Sequence, residues 1–262
     1  SGENWSPIEA EMIELLQLAI KASQLGSEAI LCVYNSDSFE IESKDDNSPL
    51  TLADKKAHDA ITEILKTSGL PILSEEGKDI PYSIRKNWDR FWMVDPLDGT
   101  KEFIKRNAEF TVNIALIENQ VAVLGVMAVP VSGEIYYGAN GLGATKIVNG
   151  ETIPLKQKEK IDLGKSGIRV VASRSHLNEE TQKFIDGLNH PQLVSKGSSL
   201  KFMILADGQA DIYPRFAPTM EWDTAAAHAV VSQLSYQVLT KNSEQELQYN
   251  KRDLLNPYFI VR

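Results

Sequence analysis

Val94-Asp95-Pro96-Leu97-Asp98-Gly99-Thr100 joins a run of aromatic and branched residues to a segment with helical character, and its reading decides the fold. Residues 88–94 favour a strand, which Asp95-Pro96 is expected to end. Asp95 and Asp98 converge if the chain bends there into a helix; a straight strand would hold their carboxylates apart. Pro96 and Gly99 supply the contrasting backbone constraints for such a bend. Magnesium takes hard oxygen ligands in a near-octahedral shell, which Asp95, Asp98 and the Leu97 carbonyl can contribute. Gly99 and Thr100 then open a helix whose N–H groups can face an anion. As an isolated string, the segment reads equally well as an Asx turn or a helix cap.

Downstream of it, strands are expected over residues 110–117 and 121–129, joined by the turn Glu118-Asn119-Gln120, with another over 135–137. Together these make an antiparallel sheet built from hairpins. The glycine-rich stretch 138–143 reads as a bend or exit from the sheet, because it lacks the GxxxxGK[ST] pattern of a nucleotide loop. Upstream, Pro7 and Pro49 can each open a helix. Ile8, Met12, Leu15, Leu16, Ala19, Ala22 and Leu25 recur at helical spacing in the first, and Ala53, Ala57, Ile61, Ile64 and Leu65 in the second, with a polar loop over 39–48 between them. Beyond a polar link at 157–167, strand and helix patterns alternate: a strand over 168–172, helices over 178–188 and 199–206, a strand near 211–213, and a helix from about Asp223 onward. The pattern predicts an α+β half over residues 1–156 and an α/β half over 157–262.

The chain has 262 residues and a formal net charge of -9, which disfavours a polymeric nucleic-acid partner. Divalent cations can still draw a small phosphate into an acidic pocket. Cys32 is the one cysteine, excluding an intrachain disulfide, and its apolar neighbours place it in the core. No apolar run approaches the roughly 18 residues of a membrane span. A cytoplasmic location is the expectation, with peripheral membrane association left open. Ser1-Gly2 reads as an expression remnant, so the original N-terminus stays open.

Three more acidic segments bear on the chemistry. Ser74-Glu75-Glu76-Gly77 places two carboxylates near a strand end, and Trp222-Asp223-Thr224-Ala225-Ala226-Ala227 places one at a helix entrance with small residues behind it. Thr51-Leu52-Ala53-Asp54 carries one on a helix. Taken singly, each has an ordinary reading as a solvated or capping group. Asp54 paired with Thr100 offers another role, since the two can orient a water for attack.

These segments together resemble the inositol-monophosphatase-like superfamily, and Phe103-Ile104-Lys105-Arg106, Gly197-Ser198-Ser199-Leu200-Lys201-Phe202 and Asp211-Ile212-Tyr213-Pro214-Arg215-Phe216 resemble its bacterial 3'(2'),5'-bisphosphate nucleotidase branch. The resemblance spans most of the chain. One departure is Ala227, which stands where the branch commonly carries glycine. The resemblance implies a layered αβαβα sandwich. It implies magnesium, about two or three ions, held by Glu75, Asp95, the Leu97 carbonyl, Asp98 and Asp223. Asp54 and Thr100 would be catalytic, and Gly99 and Thr100 would hold the scissile phosphate. Ser198, Lys201 and Arg215 would bind the nonreacting 5' phosphate, with His176 near the nucleoside; without the resemblance these four read as capping, salt-bridge or loop residues. The implied reaction removes the 3' phosphate of 3'-phosphoadenosine 5'-phosphate to give AMP, with the 5'-phosphosulfate analogue as a further substrate. The partner expected is a small phosphorylated nucleotide, and the oligomeric state stays open. An inositol or sugar monophosphatase is the enzymatic alternative, and a phosphate-binding regulator without turnover is the non-catalytic one.

Overall fold

Ser6 starts the first helix by reciprocal capping. Its hydroxyl accepts from the Glu9 N–H at 3.2 Å, and the Glu9 carboxylate accepts from the Ser6 N–H at 3.0 Å, with Pro7 in the first turn. The resulting α1 (Pro7–Tyr34) packs along α2 (Pro49–Leu65), which Ser48 caps through the Thr51 N–H. The computed structural model describes residues 4–36, 48–77, 79–173 and 177–262. The polar loop expected over 39–48 lies outside them except for Ser48, and so does His176.

The helical periodicities bury Leu16, Ala19 and Ala22 of α1 and Ala53, Ala57, Ile61 and Leu65 of α2. Two expectations for α1 need correction. Ile8 is 79 % exposed, so the apolar stripe runs one turn past the part of the helix that meets the core. Cys32 is also exposed. At about 100° per residue it falls opposite the buried stripe of Ile30, Val33 and Tyr34, so its apolar neighbours misplace it.

Both helices cover one face of a seven-stranded sheet of β1 (Ile72–Ser74), β2 (Arg90–Asp98), β3 (Thr111–Glu118), β4 (Val121–Ala128), β5 (Ile135–Ala139), β6 (Gly143–Val148) and β7 (Glu151–Pro154), ordered in sequence. Asn119 and Gln120 both take positive φ, 50° and 69°, which suits the tight β3–β4 turn to the twist of its strands. Of the two expectations for residues 138–143, a bend or an exit from the sheet, the structure shows the bend, which turns β5 into β6. Asn149-Gly150, also at positive φ, then turns β6 into β7; this dipeptide was the hairpin signal for two strands the sequence reading leaves out. The sheet is not built from hairpins alone either. β1 pairs parallel to β2, Ser74 opposite Val94, with the one-turn helix α3 (Tyr82–Arg85) in the connection between them, so the C-terminal ends of both strands open on the same edge.

Across the other face runs α7 (Glu221–Ser232), beside α6 (Leu200–Ala206). At Gly125 of β4 an added Cβ would lie 2.0 Å from the Ala226 carbonyl oxygen, so glycine is required for that helix to sit this close. Ala227, the departure noted above, is buried in the same core. Below α6 and α7 lies a second sheet, β10 (Tyr213–Arg215), β12 (Phe259–Val261) and β11 (Val238–Thr240), whose Phe259 stacks on Phe202 at 5.9 Å. A bridge from Ile212 to Val170 links it to the parallel pair β8 (Arg169–Val171) and β9 (Gln192–Val194). The short strand expected near 211–213 thus begins two residues later. Outermost, α5 (Glu179–Asp186) places Ile185 against Ile168, Val170 and Ile212. The layers alternate α, β, α, β, α, as the resemblance implied. No described helix is long and apolar enough to cross a membrane.

Candidate active site

Asp95 and Asp98 do converge, but not by the bend the sequence reading required. β2 stays extended through Pro96 to Asp98, and the pairing with β3 runs Asp95 opposite Asn113 and Asp98 opposite Thr111, three steps against two. The extra residue is a β-bulge. In a regular strand, residues three apart face opposite sides; one inserted residue restores the parity and turns both carboxylates to one side. Leu97, inside the bulge, buries its side chain and donates its N–H to Asp95 Oδ1 at 3.2 Å.

The helix that brings Asp223 begins at Glu221, so Asp223 sits in its first turn, where its carboxylate accepts the Met220 N–H at 2.8 Å. One carboxylate oxygen from each of Asp95, Asp98 and Asp223 lies within 4.8 Å of the others. Because β1 is parallel to β2, the turn after it delivers Glu75 to the same edge, where it adds to the acidic surroundings of Asp95. Asp54, on α2, is half-buried and is influenced by Glu75 and Glu76; its Oδ1 is buried without a hydrogen-bond partner among the described residues.

The electrostatics of these acids run in one direction. Burial, then Asp98, Glu75 and Asp223, raise Asp95 well above the usual carboxylate range. Asp98 is pushed up to about 6 by burial and Asp223, against the opposing hydrogen bonds of Ser199 and the charge of Lys201. Burial raises Asp223 too, although the Met220 N–H opposes it. Asp54 is pushed up to about 8 by burial, Glu75 and Glu76. Solvated carboxylates would not crowd one another in this way, and Asp223 joins the cluster while also capping α7. The donors are all hard oxygens, and the chemistry of Asp95, Asp98 and Asp223 fits a divalent cation such as magnesium.

Beside the acids stands a basic pair. Lys201, on α6, is pushed down by burial and by Arg215, while Asp98, Glu102 and Glu109 pull it up. Arg215, on β10, reaches the Pro218 carbonyl at 3.5 Å, and its buried Nε has no partner among the described residues. Ser198 donates its hydroxyl to the Glu109 carbonyl at 2.6 Å, and the Gly197 N–H donates to the Glu109 carboxylate at 2.7 Å. Gly99 adopts φ 92° before the short helix α4 (Thr100–Lys105), and an added Cβ there would lie 2.9 Å from Ser198 Cβ. The end of β2 is therefore pressed against the start of α6. Thr100 is exposed at the start of α4.

Sequence reasoning passed over Ser199 and Asn113. Ser199 donates both its N–H, at 2.9 Å, and its hydroxyl to Asp98 Oδ2, and it accepts from Asn113 at 2.8 Å. The doublet Ser198-Ser199 was the available signal, and only its first member was singled out.

Residues 11–261 match the model of the inositol monophosphatase family. The chain is 44 % identical over 252 residues to the 3'(2'),5'-bisphosphate nucleotidase CysQ of Salmonella typhimurium, covering 94 % of this chain and 99 % of that one. The crystal structure of CysQ from Bacteroides thetaiotaomicron superposes with a TM-score of 0.87 at 46 % identity, covering 96 % of this chain and 97 % of the other. An inositol monophosphatase from Zymomonas mobilis, at 23 % identity and a TM-score of 0.75, shares the fold. With nearly its whole length matched, the chain belongs to the inositol monophosphatase family.

Proposed function

We propose that the protein hydrolyses the 3' phosphate of 3'-phosphoadenosine 5'-phosphate to AMP and phosphate, and accepts the 5'-phosphosulfate analogue. The observation that carries this reading is the position of Lys201, which is close enough to feel both Arg215 and Asp98. A crowded acidic cluster and a crowded basic pair thus adjoin, as a substrate with one reacting and one nonreacting phosphate requires. The relatives named as bisphosphate nucleotidases support the substrate class.

In this reading Glu75, Asp95, the Leu97 carbonyl, Asp98 and Asp223 hold about two or three magnesium ions. Bound magnesium supplies charge neutralisation at phosphate and acidification of water. Asp54, through an Oδ1 with no hydrogen-bond partner among the described residues, and Thr100 orient the attacking water. The water oxygen bonds to phosphorus as the bond to the ribose 3' oxygen breaks, and that oxygen leaves as a hydroxyl. The N–H groups of Gly99 and Thr100 hold the transferred phosphate. Ser198, Lys201 and Arg215 hold the 5' phosphate, with arginine making directed bonds and lysine adding charge. His176 is assigned a contact with the nucleoside by the family resemblance. The division at residue 156 belongs to the same reading, with most cation-holding acids before it and Asp223 and the nucleotide contacts after it.

Phosphate release from 3'-phosphoadenosine 5'-phosphate, inositol 1-phosphate and fructose 1,6-bisphosphate at saturating magnesium tests the assignment. The bisphosphorylated nucleotide is expected to have the highest kcat/KM. A preference for inositol 1-phosphate or the sugar would overturn the substrate, and tight nucleotide binding without release would make the protein a phosphate binder.

A further inference from the structure

Thr111 and Asn113 face the two central aspartates across the β2–β3 pairing and start a buried chain of hydrogen bonds that ends on one of them. The Thr111 hydroxyl donates to Asn113 Oδ1 at 2.9 Å, and Asn113 Nδ2 donates to Ser199 Oγ at 2.8 Å. Ser199 Oγ is thereby an acceptor from Asn113, and its single proton is left to donate onward. The acceptor in close contact is Asp98 Oδ2; the Asp223 carbonyl, at 3.2 Å, is the more distant choice. The Ser199 N–H lands on the same Oδ2. Thr111, Asn113 and Ser199 are 0 %, 2 % and 4 % exposed, so water does not compete for these bonds.

Two donors on one oxygen leave Asp98 with unequal oxygens: Oδ2 is held by protein, while none of the described hydrogen bonds reaches Oδ1. We propose that Ser199, oriented by Asn113 and Thr111, is a positioning residue that fixes the Asp98 carboxylate so that Oδ1 is the oxygen presented to a divalent cation. Partners that hold a ligating carboxylate set its direction before the cation arrives, and losing one commonly costs about 10–100-fold in affinity or activity. The chain also joins β3, in the first half of the sequence, to α6 in the second, so cation affinity depends on how the two elements dock. The proposal rests on the reading of the acidic cluster as a cation site, and not on the identity of the substrate.

The test is the magnesium concentration needed for half-maximal thermal stabilisation, measured without substrate, alongside kcat and KM. Ser199→Ala is expected to raise that midpoint and to lower kcat, each by about tenfold or more, with KM for the nucleotide within about twofold of wild type. Ser199→Thr, which keeps the hydroxyl, restores most of both. Asn113→Ser, which breaks the link without touching Asp98, gives a smaller shift in the same direction and serves if the alanine variant does not fold. A wild-type magnesium midpoint in Ser199→Ala overturns the proposal, as does a raised KM with unchanged kcat, which would make Ser199 a substrate contact. Wild-type protein stabilised by magnesium but inert toward the nucleotide would remove the substrate assignment alone. Wild-type protein indifferent to magnesium would remove the cation site and this proposal with it.

Discussion

The acidic and basic ends of the site crowd like charges by the same means, yet they relieve the crowding differently. Asp54, Asp95, Asp98 and Asp223 all have raised proton affinity, so the acidic end can take up protons when no cation is there. At the basic end Arg215 cannot release its proton, and relief falls to Lys201, whose pKa is lowered. Protons can therefore stand in for the cation at one end, whereas at the other the arginine holds positive charge for an anion even as Lys201 is pushed toward neutrality. The contrast predicts which changes cost turnover, which cost substrate discrimination, and which alter stability alone.

The largest effect is expected at the acidic end. Asp95→Asn keeps the shape of a residue that is 1 % exposed but removes its charge. Turnover should fall by at least about a hundredfold, and stabilisation by magnesium should fade. The metal-free protein should melt no lower than wild type, because the amide removes repulsion from Asp98, Glu75 and Asp223. Unchanged turnover at saturating substrate would strip Asp95 of its role.

At the basic end the loss should be smaller and selective. Arg215→Ala is expected to reduce kcat/KM for the bisphosphorylated nucleotide by about ten- to a hundredfold, the scale of one charged hydrogen bond at about 1.5–3 kcal/mol. A nucleotide carrying the 3' phosphate alone should lose about threefold or less by the same accounting. Equal losses for both substrates would detach Arg215 from the second phosphate and break the comparison.

How much of this was open to sequence reasoning depends on the range of the interaction. Ser6 with Glu9, and Ser48 with Thr51, are local, and the helix starts follow from them. The hairpin around Asn119-Gln120 was local as well, and the one around Asn149-Gly150 was equally readable and passed over. The meeting of Asp95 with Asp98 was legible as chemistry but not as geometry. Proline suggested a strand end, while pairing with β3 kept the chain extended and placed the bulge. Glu75 reaches Asp95 because β1 joins parallel to β2, a choice between strands about which neither string is informative. Ser199 is the hardest case, because a serine gains meaning only when folding sets Asn113 behind it and Asp98 before it.

The smallest predicted effect sharpens the idea that protons substitute for the cation. In the folded protein Asp98 titrates at about 6 and Asp54 at about 8, whereas an unfolded aspartate titrates near ~3.9. Between those values the native state holds more protons than the unfolded one, so the slope of unfolding free energy against pH is negative. Their contribution to stability is full below about pH 4 and is lost as pH rises through about 6 and then about 8. In chelator, these two groups should therefore pull the melting temperature down from pH 5 to pH 8. Magnesium favours the ionised acids, so its stabilising increment should grow over the same interval. Asp98→Asn should flatten the chelator curve near pH 6 while leaving the Asp54 step near pH 8. If magnesium stabilises equally at both pH values and Asp98→Asn leaves the curve unchanged, the acids are not exchanging protons for cations, and the two ends of the site do not differ in the way their residues imply.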